Sequence, residues 1–320
     1  MAPTRCPVAV TPTPMQAMNR LGRELGFDDG ALWVKRDDLT GLAGGGNKAR
    51  KLEYLVGDAL DGGCDVLLTG GAAQSNHVRM TAAAARIVGL DCIAVLGGTP
   101  PDVADGNLLL DAMLGAELVW VGAYDAELLE TVMTETCMRL QNDGRRPYEV
   151  PLGGASDVGT LGYVVAAGEI VSQAPLGSTV YTATGTGGTQ AGLVVGLGNH
   201  RRVRGVDVGA IQDVEARIAS LVAATASLAH RPMAEGHLQL DRSHIGDGYG
   251  VPTDDGREAI ALCARLEGLL LDPVYSAKAM AALIADRRTG RLAPHHPTVF
   301  VHTGGLPSLF ADRYRSWLTT

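Results

Sequence analysis

Short apolar runs that end in glycine-rich turns, each followed by a stretch with helical spacing, recur along this chain and dominate what it can fold into. Residues 65–69 (DVLLT) run into Gly70-Gly71, and an Ala-rich helical stretch over 76–88 follows. Residues 91–96 (DCIAVL) run into Gly97-Gly98, ahead of a helix near 107–114 and a strand over 117–121. Such alternation is expected of β-α units around a parallel sheet. After a Pro- and Gly-containing stretch, 146–159, a second series begins. It reads as a helix near 161–173, a strand over 178–182 that runs into glycines, a helix from Gln190, a strand over 202–208 and a helix near 214–228. A polar loop at 246–250, helices near 255–266 and 277–286, and a strand over 298–302 complete it. A chain of 320 residues has room for about two such units, with a boundary near residue 160.

Composition removes several classes of function. With 35 Asp plus Glu against 27 Lys plus Arg, the formal charge is −8, which leaves no positive excess for counterion-releasing contacts with nucleic acid. The longest apolar stretches, 162–170 and 192–198, fall far short of the ~20 residues that cross a bilayer, so no membrane span is expected. The first 14 residues lack the apolar run of a secretory signal, and the five cysteines are odd in number, scattered and without a C-x-x-C pair. Reduced thiols in a cytoplasmic protein are the expectation. His295-His296 beside Pro297 has no matching carboxylate motif, so no metal site is expected. Glycine is the outlier at 42 residues, gathered where backbone must turn or approach something closely.

Three of those glycine-rich segments could carry chemistry. In Trp33–Leu55, three glycines precede Asn47-Lys48 at the start of a helix. A lysine there lies near the positive end of the helix dipole, which disfavours its ammonium form, and a partly neutral amine attacks carbonyls. Lys48 is therefore a candidate nucleophile, although most lysines are simply solvated. In TATGTGGTQAGL, Gly185, Thr186, Gly187, Gly188 and Thr189 join a strand to a helix, where free amides and hydroxyls suit a phosphate. Gln190 stands where a dinucleotide fingerprint needs its third glycine, which favours a phosphate smaller than a nucleotide and argues against a nicotinamide oxidoreductase. In GGAAQSNHVR, Ser75, Asn76 and His77 open a helix at the carboxyl edge of a sheet, the edge where open α/β sheets bind ligands. Helix capping by Ser75 explains the same letters equally well.

Together these segments resemble the pyridoxal-phosphate enzymes of the tryptophan-synthase-β fold type, in particular the branch containing D-cysteine desulfhydrase and 1-aminocyclopropane-1-carboxylate deaminase. The resemblance runs through KRDDLTGLAGGGNKARKLEYL, GAAQSNHVR, TGTGGTQAG, GDGYG, DPVYSAKAM and HTGG, in that order. It implies an α/β fold of two domains, each with a mostly parallel twisted sheet flanked by helices. The small domain would span 52–159, the large PLP-binding domain 1–51 with 160–320, and the cofactor would lie between them. Lys48 would bind pyridoxal phosphate covalently, while Lys51, one helical turn on, would hold its phosphate with residues 185–189. Asn76 would meet the cofactor's 3′ oxygen. Ser75 and His77 would sit by the substrate's carboxylate and amino group, and Tyr249 and Tyr275 would flank the substrate. The resemblance also implies a homodimer.

Two positions bear on the reaction. The deaminase pattern places Glu after the tyrosine of DPVY, where this chain has Ser276, and Leu before the terminal glycine pair, where it has Thr303. A hydroxyl gives the pyridine nitrogen only a weak neutral hydrogen bond, which favours loss of a β-substituent. The resemblance thus implies a β-eliminating lyase acting on a small amino acid, with Lys48 as the Cα base and Ser75 or a tyrosine assisting. D-cysteine, giving pyruvate, ammonia and hydrogen sulfide, is the leading substrate. Sulfite elimination from L-cysteate is second and deamination of 1-aminocyclopropane-1-carboxylate third; a ligand-binding relative without catalysis is the reading from another class. Met80 departs from the polar Gln expected after QSNHVR.

Overall fold

In the computed structural model, which describes residues 3–122 and 124–319, ten strands form two sheets. The larger sheet contains β1 (Met15–Ala17), β2 (Leu32–Lys35), β7 (Thr179–Thr184), β8 (Val203–Asp207), β9 (Gln239–Asp241) and β10 (Thr298–Val301) in the order β1-β2-β10-β7-β8-β9. Only the β1–β2 pair is antiparallel. The smaller sheet is wholly parallel, with β3 (Val66–Ala72), β4 (Asp91–Gly97), β5 (Glu117–Trp120) and β6 (Pro147–Glu149) in the order β5-β4-β3-β6.

Parallel strands are buried on both faces because their crossover helices cover them. In β10 all four residues are buried; Phe300 packs with α1 (Asn19–Leu25), α9 (Asp254–Glu267) and α10 (Ser276–Arg288), whereas Val299 and Val301 face α6 (Asp157–Gln173), α7 (Gly188–Leu197) and α8 (Val214–Leu228). The smaller sheet repeats the arrangement. Leu67 and Cys92 pack with α2 (Lys48–Asp61) and α3 (Asn76–Val88), Ala94 and Leu96 with Leu108 of α4 (Gly106–Met113), and Val66, Leu68 and Ile93 with α5 (Ala126–Asn142). A last helix, α11 (Asp312–Thr319), follows.

The helix expected over 76–88 and the strands expected near 65–69, 91–96, 117–121, 178–182, 202–208 and 298–302 are present within two residues at each end, except that β3 runs on to Ala72. Other elements were not anticipated, among them α1, β1, β9, α11, α5 and β6. α5 occupies a polar stretch in which only Leu129, Met133, Thr136 and Leu140 are buried, and its start is fixed by Asp125, whose carboxylate accepts the Leu128 amide at 2.9 Å. The linker-like 146–159 stretch contributes β6, an edge strand of three residues.

The glycine excess also has a use inside helices. A Cβ on Gly162 of α6 would lie 2.2 Å from the Arg50 carbonyl oxygen of α2, and one on Gly192 of α7 would lie 2.5 Å from Tyr163 Cβ. Helices α2, α6 and α7 thus pack at a separation that excludes any larger residue there. Among the described residues no helix is long and apolar enough to cross a membrane.

Candidate active site

One cavity gathers the carboxyl ends of strands from both sheets. Gly70–Ala72 of β3, Tyr124 beyond β5, Ala183 and Thr184 of β7, Ala210 beyond β8, and Thr303 and Gly304 beyond β10 all line it. Lys48 and Lys51 enter from α2, Ser75, Asn76 and His77 from the start of α3, and Gly185, Thr186, Gly187, Gly188 and Thr189 from the β7–α7 turn. Tyr249 and Tyr275 close it. Helix starts follow strand ends in each β-α unit, so two sheets facing one cleft direct several helix N-termini into it.

Lys48 is the first residue of α2, held there by backbone contacts between Gly46 and Gly304 and by the Asn47 amide, which donates to the Thr303 carbonyl at 3.0 Å. Its amine donates to Asn47 Oδ1 at 3.0 Å and lies 5.8 Å from the Tyr275 ring centre. Burial lowers its pKa to about 8; Asp272 opposes the shift and the Arg79 guanidinium adds to it. The direction is the one expected at a helix start, but the principal cause is desolvation rather than the helix dipole.

Lys51 is buried, and burial followed by the charge of Lys48 pushes its pKa well down. Its amine donates to the Gly153 carbonyl at 3.0 Å and lies beside Gly188, where an added Cβ would come within 2.8 Å of Nζ. Gly187 enters α7 at φ 84°, and no side chain caps that helix. A buried amine, uncapped amides and two threonine hydroxyls form a donor set for a small dianion, whose charge would offset the cost of keeping Lys51 protonated. These residues fit the phosphate of pyridoxal phosphate, and the half-buried, partly neutral amine of Lys48 fits its aldehyde.

Ser75 caps α3 and also lines the cavity. Its Oγ accepts the Val78 amide at 3.3 Å as an N-cap, which leaves the hydroxyl proton for a ligand in the cavity it lines. His77 is neutral, because burial and the two lysines push its pKa well down. Thr69 donates its one hydroxyl proton to the Val150 carbonyl, so the contact between Thr69 Oγ1 and His77 Nε2 at 2.9 Å must use a proton on Nε2. His77 Nδ1 is consequently an unprotonated acceptor, and it is buried without a partner among the described residues. The hydroxyls of Tyr249 and Tyr275 are in mutual contact, and burial raises both pKa values, so the phenols keep their protons at neutral pH.

Ser276 lies elsewhere. It is absent from the cavity lining, and its hydroxyl donates to Asp272 Oδ1 at 2.6 Å, which commits its only proton to the turn before α10. It therefore has no proton to give a pyridine nitrogen, whereas Thr303 does line the cavity. Met80 is buried, with its methyl against Gly46, and fills space behind the glycine run rather than lining the site. Sequence reasoning missed Tyr124, whose ring centre lies 5.3 Å from that of Tyr249. Its place just past β5 was the available signal. It also missed Gly153, where a φ of 63° turns the carbonyl that holds Lys51.

A cleft between two α/β sheets, a lysine of lowered pKa at a helix start and an adjoining phosphate cradle define a pyridoxal-phosphate site of the tryptophan-synthase-β type. The chain belongs to the pyridoxal-phosphate dependent enzyme family, whose model matches residues 7–304. A D-cysteine desulfhydrase of Salmonella choleraesuis (strain SC-B67) is 44% identical over 316 residues, covering 94% of this chain and 93% of that protein. A D-cysteine desulfhydrase of Salmonella typhi matches to the same extent. Among solved structures, one described as an ACC deaminase homologue has a TM-score of 0.90 at 39% identity, over 99% of this chain and 95% of that one. The processed form of threonine deaminase isoform 2 from Solanum lycopersicum has a TM-score of 0.70 at 16% identity, over 98% and 83%, a likeness of fold.

Proposed function

We propose that this chain is a β-eliminating carbon-sulfur lyase that converts D-cysteine and water into pyruvate, ammonia and hydrogen sulfide. The observation that carries this reading is the chemistry of the lining: among the described residues it contains two lysines, one histidine, three tyrosines, and several hydroxyls and amides, but no Asp or Glu. Whichever wall a pyridine nitrogen faces, it meets no carboxylate to keep it protonated, the condition under which expulsion of a good β-leaving group outcompetes the opening of a carbon ring. Relatives named D-cysteine desulfhydrase, matched over nearly their whole length, support the same choice.

Bound pyridoxal phosphate supplies an electron sink for the charge left at Cα. The residues of this chain would do the rest. Lys51 with Gly185, Thr186, Gly187, Gly188 and Thr189 would hold the phosphate, and Thr303 would give a neutral hydroxyl to the ring. Ser75 Oγ and the first amides of α3 would take the substrate carboxylate. His77 Nδ1, lacking a proton, would accept from the substrate's amino group, because it has no proton to offer the substrate carboxylate. Lys48 Nζ, with a pKa of about 8, would take up the Cα proton near neutral pH. In the Tyr249–Tyr275 pair one hydroxyl donates to the other, and the accepting phenol would give its own proton toward the departing sulfur. The reading includes a small unit over 52–159, a large one over 1–51 with 160–320, and a homodimer in the cytoplasm.

The test is a substrate panel of D-cysteine, L-cysteine, 3-chloroalanine, L-cysteate and 1-aminocyclopropane-1-carboxylate, scored for keto acid and for sulfide or sulfite. Pyruvate and sulfide in equal amounts from D-cysteine, at the highest kcat/KM of the panel, is expected. Preferred turnover of cysteate or of the cyclopropane overturns the assignment, and no turnover with any member overturns catalysis.

A further inference from the structure

The carboxamide of Asn76 is locked from behind. Its Oδ1 accepts from Arg79 Nη1 at 3.0 Å and from Asn107 Nδ2 at 3.1 Å, so both lone pairs are used. Asn76 is 7% exposed, and Arg79 and Asn107 are 0%. Arg79 has no acceptor, so a flipped carboxamide would turn its NH2 group against a buried guanidinium and leave two donors facing each other. Arg79 is itself tied down, with Nη1 donating to Asn107 Oδ1 at 2.6 Å and Nη2 to the Gly45 carbonyl at 2.9 Å. Asn107 is anchored in turn: its backbone N–H donates to Gln74 Oε1 at 2.8 Å and its Nδ2 to the Gln74 carbonyl at 2.9 Å.

We infer that Arg79 and Asn107 are positioning residues for the cofactor, acting through Asn76: they hold its carboxamide in the one orientation that presents Nδ2, a donor, to the cavity. The ligand atom opposite must then be an acceptor, and an anionic oxygen suits it best. Gly45 belongs to the glycine run before Lys48, and Gln74 to the turn before α3. The network therefore sets Asn76 in a fixed relation to the segment that carries the reactive amine. This inference rests on the proposed reading, in which the cavity holds pyridoxal phosphate with its 3′ oxygen at Asn76.

The test is a double-mutant cycle on the full chain, with two readouts: the pyridoxal phosphate dissociation constant, and the wavelength of the visible absorption band of the holoenzyme. Arg79→Met and Asn107→Ala are each made in the parent and in an Asn76→Ala background. In the parent, each is expected to weaken cofactor binding by about tenfold, the size of one hydrogen bond to a charged group, and to displace the band. In the Asn76→Ala background Asn107→Ala is expected to alter binding by less than about twofold and to leave the band in place, while Arg79→Met keeps only the smaller part that its charge exerts directly on Lys48. Losses of equal size in both backgrounds overturn the inference, because a merely structural role does not depend on Asn76. If Arg79→Met gives no cooperative unfolding transition, Asn107→Ala alone decides between those outcomes. A parent that forms no visible band with pyridoxal phosphate overturns the underlying reading instead, and so the two failures are distinguishable.

Discussion

Replacing Gly188 by alanine tests the phosphate cradle with a single methyl group. Built on the present backbone, its Cβ would lie 2.8 Å from Lys51 Nζ and 3.3 Å from Cα and Cβ of Ala155. Ala155 needs to yield only a few tenths of an ångström. Lys51 Nζ is the tip of a flexible chain, so a displacement of about 1 Å restores ordinary contact, at the cost of stretching its 3.0 Å bond to the Gly153 carbonyl. The folded chain should therefore lose about 1 kcal/mol, or roughly 2 °C in Tm for a chain of this size. Cofactor binding is affected differently, because the displaced amine and the narrowed approach to the α7 amides remove one or two charge-assisted hydrogen bonds. At about 1.5 kcal/mol each, the low end for a bond to a charged group, that weakens pyridoxal phosphate binding by roughly 10- to 150-fold. Titration of cofactor-free chain followed by absorbance gives the affinity, and calorimetry of the same sample gives Tm. A variant that binds pyridoxal phosphate as the parent does, with its Tm unchanged, refutes the placement of the phosphate between Lys51 and Gly188. A large fall in Tm shows instead that the methyl is felt as packing strain.

Three further outcomes follow from named contacts. The neutral form of Lys48 is the nucleophile and its pKa lies near 8, so the rate of cofactor capture by cofactor-free chain should rise about tenfold per pH unit from 6 and level off above 8; Lys48→Ala should show no capture band at any pH. Gly192→Ala would press a Cβ to 2.5 Å from the Thr160 carbonyl oxygen and from Tyr163 Cβ, so overpacking of about 1–3 kcal/mol should lower Tm without moving the absorption band of the holoenzyme. Ser276→Ala leaves Asp272 without one of its donors, so it should cost about 1–2 kcal/mol of stability by denaturant titration while the band keeps its wavelength, because that hydroxyl does not reach the cavity.

Strands of a parallel sheet announce themselves because burial on both faces forces apolar runs, such as VLL in β3, CIAVL in β4 and VFV in β10, whereas β7 interleaves threonines with its apolar residues. α5 did not, because it buries only Leu129, Met133, Thr136 and Leu140 along 17 residues, too narrow a stripe to stand out from its polar neighbours. β1 and β6 are three-residue strands whose existence depends on a partner rather than on their own letters. Nor could local sequence distinguish glycines that turn the chain from glycines that admit a neighbouring helix. Gly187 has φ 84°, whereas Gly192 has helical backbone and is required by Tyr163, 29 positions away.

The same distinction governs the site. Lys48, Ser75 to His77 and 185–189 were visible because each lies where a glycine turn meets a helix start, a local pattern with a local physical cause, whereas Lys51 was assigned only through the family resemblance. Ser276 was assigned a place at the cofactor from its position after Tyr275, yet one residue along the start of α10 turns the side chain away from the cavity and onto Asp272. Adjacent residues at a helix start face different directions, so being next to a cavity residue says little about reaching the cavity. Arg79 and Asn107 were invisible for a related reason. Among the described residues each hydrogen-bonds to the cavity lining only at Asn76, and a buried arginine in an Ala-rich helix becomes informative only once its acceptors, the Gly45 carbonyl and the Asn76 and Asn107 side-chain oxygens, are known. The sequence thus displays the groups that meet a ligand more readily than those that aim them, because reactive groups cluster at turns whereas the groups behind them are assembled from three separate segments.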